Sequence, residues 1–496
     1  MSFTANIDDI VAENQNGLLG TRSGWSRIKL REIASILNGA PFESARFNKD
    51  RGTPLIRIRD IMRGQTETLY DGDLEDTYLV HQGDLLVGMD GDFNSALWTG
   101  KPALLNQRVC KLTPDESRYD KRFLLLVLPG YLAAINANTP SVTVKHLSSR
   151  TVGDIPLPYP PLPEQRRIVA EIEQQFTRLD AGFAALRRTQ ANLKRYRAAV
   201  LKAACEGRLV PTEAELTRKN ARVLGSIPTG DFDSPSQNKR ARVHGSTPSA
   251  STDFETGKAL LARILTERHK NWQGRGKYKE PAAPDTANLP AIPDCWTWAS
   301  LEQIARSSSY GTSAKCSPDN SGPPVLRIPN IAGGRIDLSD LKFAGSDESI
   351  EFGDELAPGD LLIIRTNGSK NLIGRSAVVR TKLVRATSYA SYLIRFRLFD
   401  SPTLFDWVGT IWDVSFLRAW VEQRAATSAG QHNISMSVLS TMPVPLPPLA
   451  EQMRIVAEVE RRLSVVEEIE NIVAAGLRRA KSLRQSILQC AFAPEK

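Results

Sequence analysis

The sequence predicts a duplicated α/β (α+β) chain: two mixed globular units joined by two long antiparallel coiled-coil helices, the halves related by a pseudo-twofold internal repeat. Three observations predict it. Residues 155–173, IPLPYPPLPEQRRIVAEIE, recur 287 positions later as residues 442–460, MPVPLPPLAEQMRIVAEVE, with 13 of 19 aligned positions identical. A period this long is not that of a solenoid, whose units run roughly 20–50 residues. Matches continue in order on both sides: Trp25, Leu30, Ile33 and Ala34 with Trp296, Leu301, Ile304 and Ala305, then PLIRIRDI at 54–61 with PVLRIPNI at 324–331, then QGDLLV at 82–87 with PGDLLI at 358–363. Finally, each proline block runs straight into a long segment with an apolar a/d seam.

The 496 residues imply about three domains, and 41% hydrophobic content supplies their cores. Residues 1–24 form an N-terminal segment with no basic start and no apolar h-region, so no secretory signal is expected. No stretch approaches the ~20 apolar residues of a membrane span. A cytoplasmic location is the resulting expectation. The first globular unit spans 25–155. Its short apolar runs at 55–58, 84–89 and 107–112, bounded by Gly, Pro and Asp, read as strands. Residues 121–137 read as a helix that Pro129-Gly130 interrupts. The matched pairs Gly83-Asp84 and Gly359-Asp360 read as turns.

A proline strap and a long helix occupy 156–210. Successive prolines fix φ and remove donors, which gives a stiff extended segment. The helix runs from Glu164 to Cys205 with Phe176, Leu179, Phe183, Leu186, Leu193 and Val200 on its seam, Gln190 and Arg197 as polar members, and Gly207 as a stop. Its counterpart, within 443–496, carries Val459, Leu463, Val466, Val473, Leu477 and Ile487. One such helix leaves its stripe uncovered, whereas two copies cover each other. Between the halves, 211–295 reads as a flexible linker, richest in Ser, Thr, Pro, Asn and Lys over 211–254. It includes a basic patch at 239–242 and a short amphipathic helix at 255–272. The second globular unit spans 296–442.

No catalytic pattern appears in the sequence. There is no GxxxxGK[ST] phosphate loop, no glycine-rich cofactor fingerprint, no Asn-Pro-Pro-Tyr motif and no nucleophile elbow. The five histidines never pair at i, i+4, and the five scattered cysteines offer neither a disulfide framework nor a zinc site. A net charge of +9 and a pI near 9.3 favour a polyanionic partner such as nucleic acid.

The order of globular unit, PLPxxPPLxEQ strap, long helix, linker and LLARILTER-like helix, followed by the same again, resembles the specificity (S) subunit of type I restriction–modification systems. The PPLxEQxRIVAE blocks at 160–171 and 447–458 carry most of that resemblance, helped by GDLLIIRTNGSKNLIGRSAVV at 359–379. The resemblance implies two target recognition domains, each reading one half of a bipartite double-stranded DNA sequence. Paired helices would space them and dock two methyltransferase subunits, with restriction (motor and nuclease) subunits joining outside. It implies no catalysis in this chain. S-adenosylmethionine, ATP and Mg²⁺ would belong to the partners, and no metal to this chain. A coiled-coil scaffold whose globular units bind protein is the alternative.

On that reading, Lys and Arg supply salt-sensitive phosphate contacts, and Arg, Asn, Gln and Ser read base edges. The candidates in the first unit are Arg57, Arg59, Arg63, Asn106, Arg108, Lys145 and His146. Those in the second are Arg327, Asn330, Arg365, Asn367, Ser369, Lys370, Asn371, Arg375, Gln431 and Asn433. Arg57 and Arg327 occupy matched positions, which suits a shared structural or phosphate role. Gln165, Arg167, Glu171, Gln452, Arg454 and Glu458, near the helix starts, are candidates for partner docking or for holding the strap.

Overall fold

The computed structural model describes residues 6–13, 19–72, 75–139, 145–225, 254–272, 276–345, 355–428 and 430–492. The basic patch at 239–242 lies outside them. Two compact units result, Met1–Thr189 with Ile472–Lys496 and Gln190–Asn471. The division falls within both long helices, so each unit owns a globular part and a segment of each helix.

The two globular parts repeat one topology. In the first, an antiparallel sheet has the order Ala34–Asn38, Val109–Pro114, Leu85–Gly88, Ser95–Leu97; in the second the order is Ala305–Tyr310, Leu393–Leu398, Asp360–Ile364, Ser376–Val378. Beside each lies a short parallel pair, Thr53–Ile56 with Ala103–Leu105 and Pro324–Leu326 with Ser388–Tyr389. Leu85–Gly88 and Asp360–Ile364 are buried along their whole length, which is why they read as continuous apolar runs rather than alternating ones. Gly83 and Gly359, at φ +91° and +90°, turn the chain into these strands. The following Asp accepts the backbone N–H three residues earlier, His81 to Asp84 and Ala357 to Asp360, both at 2.8 Å.

The expected break at Pro129-Gly130 does not occur. One helix, Lys121–Ala137, runs through it, capped by Asp120, which accepts from Arg122 and Phe123. Pro129 sits on the exposed face, while Phe123, Leu124, Val127, Leu128 and Tyr131 are buried on the other side. An interior proline costs about 3 kcal/mol. Burying a large apolar side chain is worth about 1.5–3 kcal/mol, so five outweigh it.

The proline strap is a strand rather than an unpaired extension. Pro156–Tyr159 pairs antiparallel with Ser26–Lys29, and Pro443–Leu446 with Thr297–Ser300. Prolines alternate with Leu157 and Val444, so the missing N–H groups fall on the unpaired edge, where a strand tolerates them. The carbonyls on that edge find side-chain donors: Tyr119 Oη to Pro158 at 3.0 Å, Trp407 Nε1 to Pro445 at 2.8 Å. Six residues past each strap strand, a glutamine closes it. Gln165 Nε2 donates to Pro160 O at 2.9 Å and Gln452 Nε2 to Pro447 O at 2.8 Å, both side chains fully buried.

The long helices are Leu162–Cys205 and Leu449–Phe492, each 44 residues and about 66 Å at 1.5 Å per residue. In the first unit they run antiparallel, with Asp180 meeting Arg484 at 3.0 Å and Leu186 lying against Gly476. Arg484 also covers the Phe176 ring at 4.3 Å. The seam residues Phe176, Leu179, Phe183, Leu186 and Leu193 are the half-buried positions of an otherwise exposed middle stretch. In the second unit, Val200, Leu201, Ala204 and Cys205 share a core with Ile455, Val456 and Val459, and Arg197 approaches Glu470 at 3.8 Å.

Among its described residues the linker carries two helices. A helix spans Glu213–Gly225, with a capping box in which Thr212 N–H meets Glu215 Oε2 at 2.8 Å and Glu215 N–H meets Thr212 Oγ1 at 3.2 Å. A second helix, Gly257–Lys270, begins at Thr256 and buries Leu260 and Ile264, whereas Trp272 beyond its end is exposed.

Gln165 also accepts from Asp120 N–H at 2.8 Å, whereas Gln452 Oε1 has no partner. Replacing Gln165 with Ala therefore strands more buried backbone groups than Q452A, at about 1–3 kcal/mol for each group left unpaired. We expect Q165A to lower the urea midpoint measured by tryptophan fluorescence more than Q452A does.

Candidate nucleic-acid interface

The two units share one backbone junction at the end of the four-stranded sheet. In the first, Met89 N–H donates to Arg108 O at 3.0 Å and Leu147 N–H to Met89 O at 2.7 Å. In the second, Arg365 N–H donates to Tyr392 O at 3.0 Å and Ile434 N–H to Arg365 O at 2.9 Å. The helix that follows is capped alike, by Ser148 and by Ser435. The side chains at matched places differ: Arg108 against Tyr392, Asp90 against Thr366, His146 against Asn433.

In the first unit this junction gathers Arg108, Lys145 and His146. Arg108 Nη1 and His146 Nδ1 both meet the Asp90 carboxylate, the latter at 2.7 Å. Lys145 Nζ donates to the Asn136 backbone and side-chain oxygens at 2.6 and 3.0 Å, so it braces the loop. Arg57, Arg59 and Arg63 lie apart from this cluster in sequence, on and before the short 3₁₀ helix Ile58–Arg63, all with exposed side chains. Asn106 is half-buried beside Gly39, where the backbones approach too closely for any side chain at that glycine.

In the second unit, Arg365 lies over the Tyr310 ring at 4.7 Å, a cation–π contact worth ~0.5–2 kcal/mol. Strand Gln431–Asn433 pairs with Thr366–Asn367, which sets Asn433 opposite Thr366 and His432 opposite Asn367, and Thr366 Oγ1 donates to Gln431 Oε1 at 3.3 Å. Asn367 Oδ1 accepts from Ser369 N–H at 2.8 Å, shaping the loop that exposes Ser369, Lys370, Asn371 and Arg375. Asn371 and Arg375, with Asp413 and Arg418, line a cavity of 360 Å³.

Two candidates serve the fold. Asn330 is 1% exposed, and its carboxamide accepts Arg327 N–H at 2.8 Å and donates to the Asp337 and Asp340 carbonyls. Arg327 itself reaches Asp340 through Nη2 at 2.9 Å, so it braces the same loop. Asp60 makes the equivalent bond to Arg57 N–H at 3.0 Å, which explains why this turn recurs. No local pattern in the sequence marks Asp90, Tyr310 or Arg418. An acid is a poor choice beside a polyanion until its cationic neighbour is visible.

The helix-start residues divide similarly. Gln165 and Gln452 hold the straps and present no surface. Arg167 is exposed and pairs with Glu171 at 2.7 Å, both available on the outer face. Arg454 is engaged with the linker: it meets the Glu213 carboxylate, and its Nη2 donates to Pro211 O at 3.2 Å. Glu451 caps the same linker helix, accepting Glu213 N–H at 3.1 Å and Trp296 Nε1–H at 2.8 Å, and burial pushes its carboxyl pKa up. Hydrogen bonds from Arg461 and Arg462 draw the Glu458 pKa down to about 2. Burial also pushes the Cys110 thiol up to about 12, leaving a poor nucleophile.

Among the described residues, no group of three or more His, Cys, Asp or Glu is placed to hold a metal, and no helix is long and apolar enough to cross a membrane. Residues 22–184 match the family described as the type I restriction modification DNA specificity domain. Over its whole length the chain is similar to the type I restriction enzyme EcoBI specificity subunit of Escherichia coli, 33% identical over 503 aligned residues, covering 100% of this chain and 91% of that one. The chain belongs to the type I restriction–modification specificity subunits. The EcoKI specificity subunit of Escherichia coli strain K12 is 22% identical across 95% of this chain and 89% of its own length. A chain from a solved structure described as showing complex assembly and conformational transition of the type I R-M system shares the fold, with a TM-score of 0.56, 17% identity, and coverage of 95% and 98%. As a specificity subunit this chain is the DNA-recognition member of its assembly and is not the catalytic one.

Replacing Arg454 with Ala removes both of its contacts to the linker. We expect limited proteolysis to cut the specificity subunit within 213–225 faster in R454A than in the parent, while R167A leaves that rate unchanged.

Proposed function

We propose that this specificity subunit reads a bipartite double-stranded DNA site, one half with each globular unit, and docks two methyltransferase subunits and the restriction subunits. The observation that carries this reading is the shared junction: one backbone arrangement, built twice, holds different polar side chains. A duplicated frame with divergent side chains suits two related tasks with separate specificities. Exposed Arg57, Arg59, Arg63, Lys370 and Arg375 supply the phosphate attraction, which makes binding fall with salt. Arg108, His146, Arg365, Asn367, Gln431 and Asn433 read base edges.

The two long helices set the gap between the half-sites. Arg167 and Glu171 lie on the face that meets a methyltransferase. S-adenosylmethionine, ATP and Mg²⁺ are used by the partner subunits, and this chain contributes recognition.

Exchanging residues 296–442 for the corresponding region of another specificity subunit tests the reading. We expect methylation by the assembled complex to move to sites altered in one half only, with the other half and the gap retained. Altered sequence in both halves contradicts it.

A further inference from the structure

Asp90 stands out at the first junction. It is an acid set among residues that face a polyanion in the proposed function, on which this inference rests. Its carboxylate is mostly covered, with 13% of the side chain exposed, whereas Arg108 and His146 are 54% and 42% exposed. Its two oxygens are divided, Oδ2 to Arg108 Nη1 and Oδ1 to His146 Nδ1. The loop that carries it is locked from three sides. Asn136 Nδ2 donates to Gly91 O at 2.6 Å, Gly91 N–H donates to Lys145 O at 3.0 Å, and Asp90 forms a backbone bridge with His146. Gly91 takes φ +67°, a conformation other residues rarely adopt.

We propose that Asp90 is a positioning residue for base reading. It fixes Arg108 so that its remaining N–H groups meet the O6 and N7 acceptors of a guanine in the major groove. A guanidinium has five N–H donors in a rigid fork, so one bond to Asp90 leaves a donor pair for the base. The two acceptors of a guanine edge match such a pair. Arg108 also balances the Asp90 charge, so the acid does not repel the phosphates. In the second unit Thr366 and Tyr392 occupy the matched places, and this device is absent there among the described residues. One half-site therefore contains a G·C pair whose recognition depends on Asp90.

Mapping methylated adenines in the host, with the complete complex carrying D90A, D90N or R108A, tests this. We expect R108A and D90A to relax discrimination at the same single G·C pair, by about tenfold or more. We expect D90N to fall between D90A and the parent, with the other half-site unchanged in all three. Relaxation in R108A with full discrimination in D90A and D90N overturns the proposal, as does full discrimination in all three. If D90A lowers the amount of folded protein, D90N, which keeps the shape of the side chain, decides. Methylation that does not respond to deletion of the gene would instead remove the proposed function itself.

Discussion

The joint between each strap and its globular unit is the constraint on which the rest of the molecule depends. Leu30 N–H meets Ile155 O at 3.0 Å and Leu301 N–H meets Met442 O at 2.9 Å, and from there each strap runs as the edge partner of the unit's first strand. The prolines stop that edge from pairing further, since they have no N–H to offer. The buried glutamine then ties the last strap carbonyl to the first turn of the long helix. A helix started this way has its direction set by the sheet. Side chains at the sheet's end and on the helix face thereby become parts of one frame within each unit.

That frame separates scaffold from specificity. The turns before the central strands, the strap bonds and the serine caps recur with matching partners in both units. Where a charge is buried in the frame it is matched, as Asp360 is by Arg397 at 2.8 and 2.9 Å, because an unpaired buried carboxylate costs several kcal/mol. At the junction the partners diverge, Arg108, Asp90 and His146 in one unit against Tyr392, Thr366 and Asn433 in the other, and Arg108 and His146 reach solvent. On the proposed reading, exchange of such residues changes one half-site without undoing the sheet.

The large features were legible in the sequence because they rest on repetition and periodicity. The 287-residue repeat, the straps and the a/d seams of Phe176 to Val200 and Val459 to Ile487 are patterns that a single chain displays. What escaped depends on individual partners. The helix at 213–225 was hidden because averaging over 211–254 hid the Thr212–Glu215 capping box. Pro129 signalled a break that burial of its neighbours overrides. Asn330 reads as a surface polar group, yet it satisfies buried backbone groups at a position that no residue type announces. Asp90 carries the wrong sign for DNA until Arg108 is seen beside it.

A map of methylated adenines across the host genome, with this gene intact and deleted, tests the central claim most directly. The account predicts loss of one split motif, two short specified blocks around a fixed run of unspecified bases. Identical maps, with the partner methyltransferase shown to be expressed, would contradict it.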